Sequence, residues 1–202
     1  MMGSKSLSLF LTGLAAGRRI QEVAIDPRLR PISHEKKRGF LHAALASHVA
    51  SWDSYLNNVV KEFRECTRKP LDLEYSLIHD GLESFIEKSL RKFNTPNSNN
   101  SRILLIECTG YDPINDWKWL RGGLNATETR DFLDQILKVR HSFSHGFSIP
   151  AYDWTITPGG KKRLDTKSLN RIEAFIMHLA KTTDVGLQNH ATIAYPSANT
   201  WI

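Results

Sequence analysis

From Glu35 to Thr67, apolar side chains return every three or four residues: Phe40, Leu41, Ala44, Leu45, Val49, Trp52, Tyr55, Leu56, Val59 and Phe63. That rhythm, held over that length, predicts one long amphipathic helix, stopped by Pro70. A second stripe, Leu73, Leu77, Ile78, Leu82, Phe85, Ile86, Leu90 and Phe93, predicts a following helix with those residues on its buried face. The cluster NTPNSNN then gathers turn formers that cannot continue a helix. SRILLIECTG predicts a short buried helix ended by Gly110, although an apolar run of this length also fits a strand.

In DPINDW, Asp112 stands as an N-cap with Pro113 at the first helical position. Asn125 and Glu128, three apart, form a capping box. The helix they open carries Phe132, Leu133, Ile136, Leu137 and Val139 and ends at Gly146. After a loop holding Pro150, Pro158, Gly159 and Gly160, a last helix is expected over roughly residues 167–183, with Leu169, Ile172, Phe175, Ile176 and Leu179 inward. From Gln188 no period survives, so residues 188–202 are expected to form an irregular tail or to dock on a partner. At the other end, Leu7, Phe10, Leu11 and Leu14 fall at helical spacing, which predicts a helical extension over residues 1–34. The stretch KSLSLFLTGLAAG also has the lysine, short apolar run and small residues of a secretory signal, but Thr12 and Gly13 interrupt it. Together these elements predict an all-α, single-domain bundle of four or five core helices over residues 35–187.

Composition narrows this picture in three ways. A chain of 202 residues can bury one good core and is short for two. A net charge of +6 and an isoelectric point near 9.4 favour an anionic partner such as nucleic acid. The two cysteines, Cys66 and Cys108, have neither CxxC nor HxxxC spacing, so a reduced, cytoplasmic protein is expected. No run of about 20 apolar residues exists to span a membrane.

The chemistry concentrates in KVRHSFSHGF, residues 138–147, where Arg140, His141 and His145 close an apolar helical pattern. His141 and His145 are four apart, about 40° around a helix, and share a face. Arg140 and His145 are five apart, roughly 140° on a straight helix, and converge only if the helix loosens before Gly146 or if two chains each supply part of one site. Phosphodiester transesterification suits these groups. RNA brings its own nucleophile, the ribose 2′-hydroxyl, so the protein needs proton transfer and positive charge and neither a nucleophilic side chain nor a metal. Histidine serves either proton role near neutral pH, and arginine grips phosphate oxygens with a permanently charged fork. A plain structural role competes with this: a histidine at a helix C-terminus is favoured by the helix dipole and the free carbonyls. A metal on the histidine pair would need a third ligand, and none sits at a recognisable spacing. His34, His42, His48, His79, His178 and His190 are scattered and take no role.

RHSFSHG resembles the R-x4-6-H signature of HEPN domains, with a polar residue, His141, after the arginine. Residues 93–119, FNTPNSNNSRILLIECTGYDPINDWKW, are similar to the middle segment of the RiboL-PSP-HEPN family, and HVASWDSYLNNVVKEF resembles its first core helix. The resemblance covers roughly residues 35–183, in the family's order. It implies a dimerising α-bundle and a metal-independent endoribonuclease, without cofactor, leaving a 2′,3′-cyclic phosphate and a 5′-hydroxyl. Such proteins are toxins of toxin–antitoxin or antiphage systems, so a cognate antitoxin or defence partner is implied. Carried over, Arg140 binds the scissile phosphate, His145 is the acid–base group and His141 an accessory polar residue. A non-catalytic RNA- or partner-binding module is the alternative.

Further candidate RNA contacts are Asn94 and Asn97 in the NTPN loop, which otherwise simply turn the chain and cap the next helix. Lys161, Lys162 and Arg163 form a possible phosphate patch or an ordinary solvated loop. The GGKK before Arg163 is not a P-loop, because the upstream glycine and following Ser or Thr are missing. Trp117 and Trp119 are candidates to stack on bases, or else lie in the core.

Overall fold

The structure, a computed structural model, describes residues 3–29, 31–67, 76–144, 146 and 148–196. Among them are six α-helices: α1 (Lys5–Val23), α2 (His34–Thr67), α3 (Ser76–Lys92), α4 (Ser98–Thr109), α5 (Ala126–Ser144) and α6 (Thr166–Ala194). No strand occurs among the described residues, only isolated bridges at Trp119–Leu124 and Ile156–Lys162. The all-α expectation holds. None of these helices is long and apolar enough to cross a membrane.

The 34-residue α2 is the axis of the bundle, and its stripe from Leu41 to Phe63 lies in the core against α1, α4, α5 and α6. α1 lies along α2 and buries Phe10 and Leu14 in the same core. A helix start leaves four N–H groups without intrahelical acceptors, and here carboxylates from two other helices supply them. Glu62 of α2 accepts from the Lys5 and Ser6 amides at 2.9 and 2.8 Å, and Asp184 of α6 accepts from the Ser4 amide at 3.1 Å. Gly17 lets the two helices approach: a Cβ there would meet Nδ1 of His48 at 2.6 Å.

The α4 segment is a helix and not a strand, because both ends are capped. Asn97 Oδ1 accepts from the Asn100 amide at 2.7 Å, and Gly110 takes the left-handed conformation at φ 75° that glycine adopts without cost. The box at α5 also forms. Asn125 Oδ1 accepts from the amides of Thr127 and Glu128, and Glu128 accepts from the Asn125 amide at 2.8 Å. Asp112 and Pro113 open only a single 3-10 turn, Pro113–Asn115.

Two expectations need correction. The apolar stripe of α3 is buried only in part: Ile86 is buried and Leu90 and Phe93 are half-buried against the core, but Ile78 is 64% and Phe85 44% exposed, with Leu82 also exposed, and Leu73 lies outside the described residues. Periodicity marks a stripe and does not say that a neighbour covers it. The last helix does not stop near residue 183 but runs to Ala194, so the irregular tail expected from Gln188 is helical over its first turns. Leu187 and Ala191 carry its buried face onward, and the His190 ring bonds the Thr109 carbonyl at 3.0 Å.

Candidate functional site

α5 delivers the motif. Its inward face is Leu133, Ile136, Leu137 and Val139, all buried, which turns Arg140 outward as an exposed side chain on the last turns. Asp53 of α2 lies within electrostatic range of Arg140. Burial raises the Asp53 carboxyl above the ordinary carboxylate range, and the Arg140 charge opposes that rise. The same carboxylate accepts from Asn57 Nδ2 at 3.4 Å. His141 is half-buried. His145 lies outside the described residues.

The NTPN loop is held against α2 and the middle of α5 at two points. Trp52 Nε1, one residue from Asp53, donates to the Pro96 carbonyl at 3.2 Å. Asp134 of α5 accepts from the Ser98 amide and hydroxyl at 2.8 and 3.0 Å. Asn97 spends its side chain on the α4 cap, while Asn94 stands exposed beside it.

Phe143, inside the motif, stacks on His42 of α2 with ring centroids 4.6 Å apart and planes 15° from parallel. His42 is 2% exposed, and neither ring nitrogen has a hydrogen-bond partner among the described residues. Burial first, and the nearby Arg38 charge second, lower its pKa from 6.5 to about 4. At neutral pH the ring is therefore an uncharged platform under the motif. This contact joins residues a hundred positions apart, and no local pattern foretells it. A histidine at a core position of the α2 stripe was the only available signal.

Phe143 also lines a pocket of about 510 Å³ with His34, Glu35, Arg38 and Gly39. Beyond His34 and Arg38 this surface continues into a larger pocket, of about 850 Å³, whose far wall includes Lys162 and Arg163. Lys161 stands exposed next to them, on a turn closed by the Thr157 amide donating to its carbonyl at 2.9 Å. Trp117 does not present a base-stacking face. It is 1% exposed, with Nε1 donating to Thr183 Oγ1 at 2.9 Å. Trp119 packs its ring against Phe132 and Phe175.

The last turns of α5 thus carry an exposed guanidinium with a carboxylate in electrostatic range and a histidine next to it in sequence, and Phe143 links them to a cation-rimmed surface. Such a set can hold a phosphodiester and move protons next to it. The model of the RiboL-PSP-HEPN family matches residues 17–188. No curated protein and no solved structure matches the chain.

Proposed function

The chain belongs to the RiboL-PSP-HEPN family, whose HEPN domains generally cleave or bind RNA, and on that premise we propose that it is a metal-independent endoribonuclease. The observation that carries the reading is the placement of Arg140. Arg140, the arginine of the stretch that resembles the HEPN signature, is turned out to solvent at the end of α5, within electrostatic range of Asp53 on α2. Next to it on the last turns of α5 stands His141, half-buried, so a phosphate-binding charge and a proton-transfer group share one helix end.

In this reading Arg140 binds the non-bridging oxygens of the scissile phosphate and offsets the charge that builds in the transition state. His145 exchanges a proton with the 2′-hydroxyl or the 5′ leaving oxygen, and His141 assists in placing the substrate. The 2′ oxygen attacks phosphorus, the P–O5′ bond breaks, and the products carry a 2′,3′-cyclic phosphate and a 5′-hydroxyl. One imidazole cannot stand on both sides of an in-line displacement, so two protomers each lend part of one site, in the cytoplasm, under the control of an antitoxin or defence partner.

Expression in cells tests the biological side. The wild-type chain arrests growth and the Arg140→Ala chain, at equal level, does not. Equal arrest by both would remove Arg140 from the mechanism.

A further inference from the structure

We propose that the pocket between the start of α2 and the Lys162–Thr166 segment is a second RNA subsite, holding the strand that flanks the scissile phosphate. The inference rests on the ribonucleolytic reading and extends it from the reacting phosphate to its neighbours. At about 850 Å³ the pocket is within the size of sites that hold small organic ligands, about 300–1,000 Å³.

Its construction separates charge from apolar surface. The floor is Ala24 at the end of α1, Leu41 of α2, Ile149 just after the motif, and Leu164, all buried. The rim carries Lys37 and Arg38 from one wall and Lys162 and Arg163 from another, segments more than 120 positions apart in sequence. Lysines and arginines are usually solvated singly, and Lys37, Lys162 and Arg163 gathered around one concavity repel one another. A polyanion relieves that repulsion. The acid in the lining, Asp165, is already engaged, accepting from the Ser168 amide at 2.8 Å as the cap of α6. The first turn of α6 borders the pocket through Thr166, and the Asp165 cap answers the positive end of that helix, so among the described residues the cationic rim exceeds the one carboxylate that lines the pocket.

Phosphates on such a rim leave ribose and base edges to rest on aliphatic carbon. Among the described residues the floor is aliphatic and the ring in the lining is the His34 imidazole, so recognition here rests mainly on the backbone. The pocket also has the right address. It shares His34 and Arg38 with the smaller pocket that Phe143 lines, so a strand leaving the motif passes directly onto the rim.

The experiment is fluorescence anisotropy of a labelled single-stranded RNA on the full His145→Ala chain, which keeps the RNA intact, over a salt series. Adding Lys162→Ala and Arg163→Ala weakens binding about tenfold, and the slope of log K against log salt shrinks by about 1.4, two contacts at roughly 0.7 each on a single strand. Lys37→Ala, on the opposite wall, moves both readouts in the same direction. Lys88→Ala with Lys92→Ala removes the same charge from a separate groove beside α3, and both readouts stay within about twofold of the parent because distant charges are screened. Equal losses from both pairs, or no loss from the pocket pair, would overturn the subsite. A wild-type chain that cleaves RNA while the pocket variants bind normally fails the subsite alone. Loss of binding in the pocket variants of a chain that never cleaves supports the subsite and fails the nuclease.

Discussion

His42 shows how one buried residue ties the fold to the motif. Unfolded, its imidazole accepts a proton near pH 6.5; folded, it resists one until about pH 4. The folded pKa is depressed, so the stability the neutral ring supports is complete above pH 6.5 and is lost as pH falls towards 4. A displacement of that size corresponds to a cost on the order of 3 kcal/mol once both states are fully protonated. Burial lowers the pKa of His48, also on α2, in the same sense. We therefore expect the melting temperature to drop between pH 7 and pH 5, and His42→Leu to flatten that drop. An unchanged pH profile in the variant would show that the His42 ring is not a source of it. Because Phe143 stacks on the same ring, RNA cleavage should fall over the same pH interval.

At the scale of the helix, what covers a face decides its energetics. Ile78→Asp and Phe85→Asp on α3 should each shift stability by only about 0.5 kcal/mol, as surface changes do. Leu45→Ala in α2, fully buried, should cost about 2–5 kcal/mol. Urea midpoints measure both, and an α3 variant as damaging as Leu45→Ala would mean that the stripe is covered. Removing the α5 cap with Asn125→Ala should cost about 1 kcal/mol, since two amides lose their acceptor. These contrasts mark what the sequence could reveal. α2, the capped α4 and the boxed start of α5 were legible because spacing and cap chemistry are local. The exposure of α3 was not, since it depends on which neighbour packs there. The reach of α6 to Ala194 was hidden because Gln188, Asn189 and His190 break the apolar rhythm, although Leu187 and Ala191, four apart, sustain it. At the site, Arg140 was legible from its motif, whereas Asp53, His42 and the pocket wall at Lys37 and Arg38 come together only in the folded chain.

For the whole molecule, the proposed site divides between two protomers, and that division has a measurable consequence. The His145→Ala chain is inactive alone. Mixed with an equal amount of wild type and allowed to exchange, it leaves one dimer in about four with both imidazoles, so cleavage should fall to about half of what the wild-type share gives before exchange. No fall after exchange would mean that one chain's His145 suffices, and a monomer at micromolar concentration would count against the same division. The claim beneath all of these is that this end of the bundle breaks RNA through the RNA's own 2′-hydroxyl. Its most direct test is cleavage of a labelled single-stranded RNA in EDTA, wild type beside His145→Ala, with the product ends typed. The wild type should leave 2′,3′-cyclic phosphate and 5′-hydroxyl ends, and the variant none. Equal cleavage by both, or 3′-hydroxyl and 5′-phosphate ends, would contradict it.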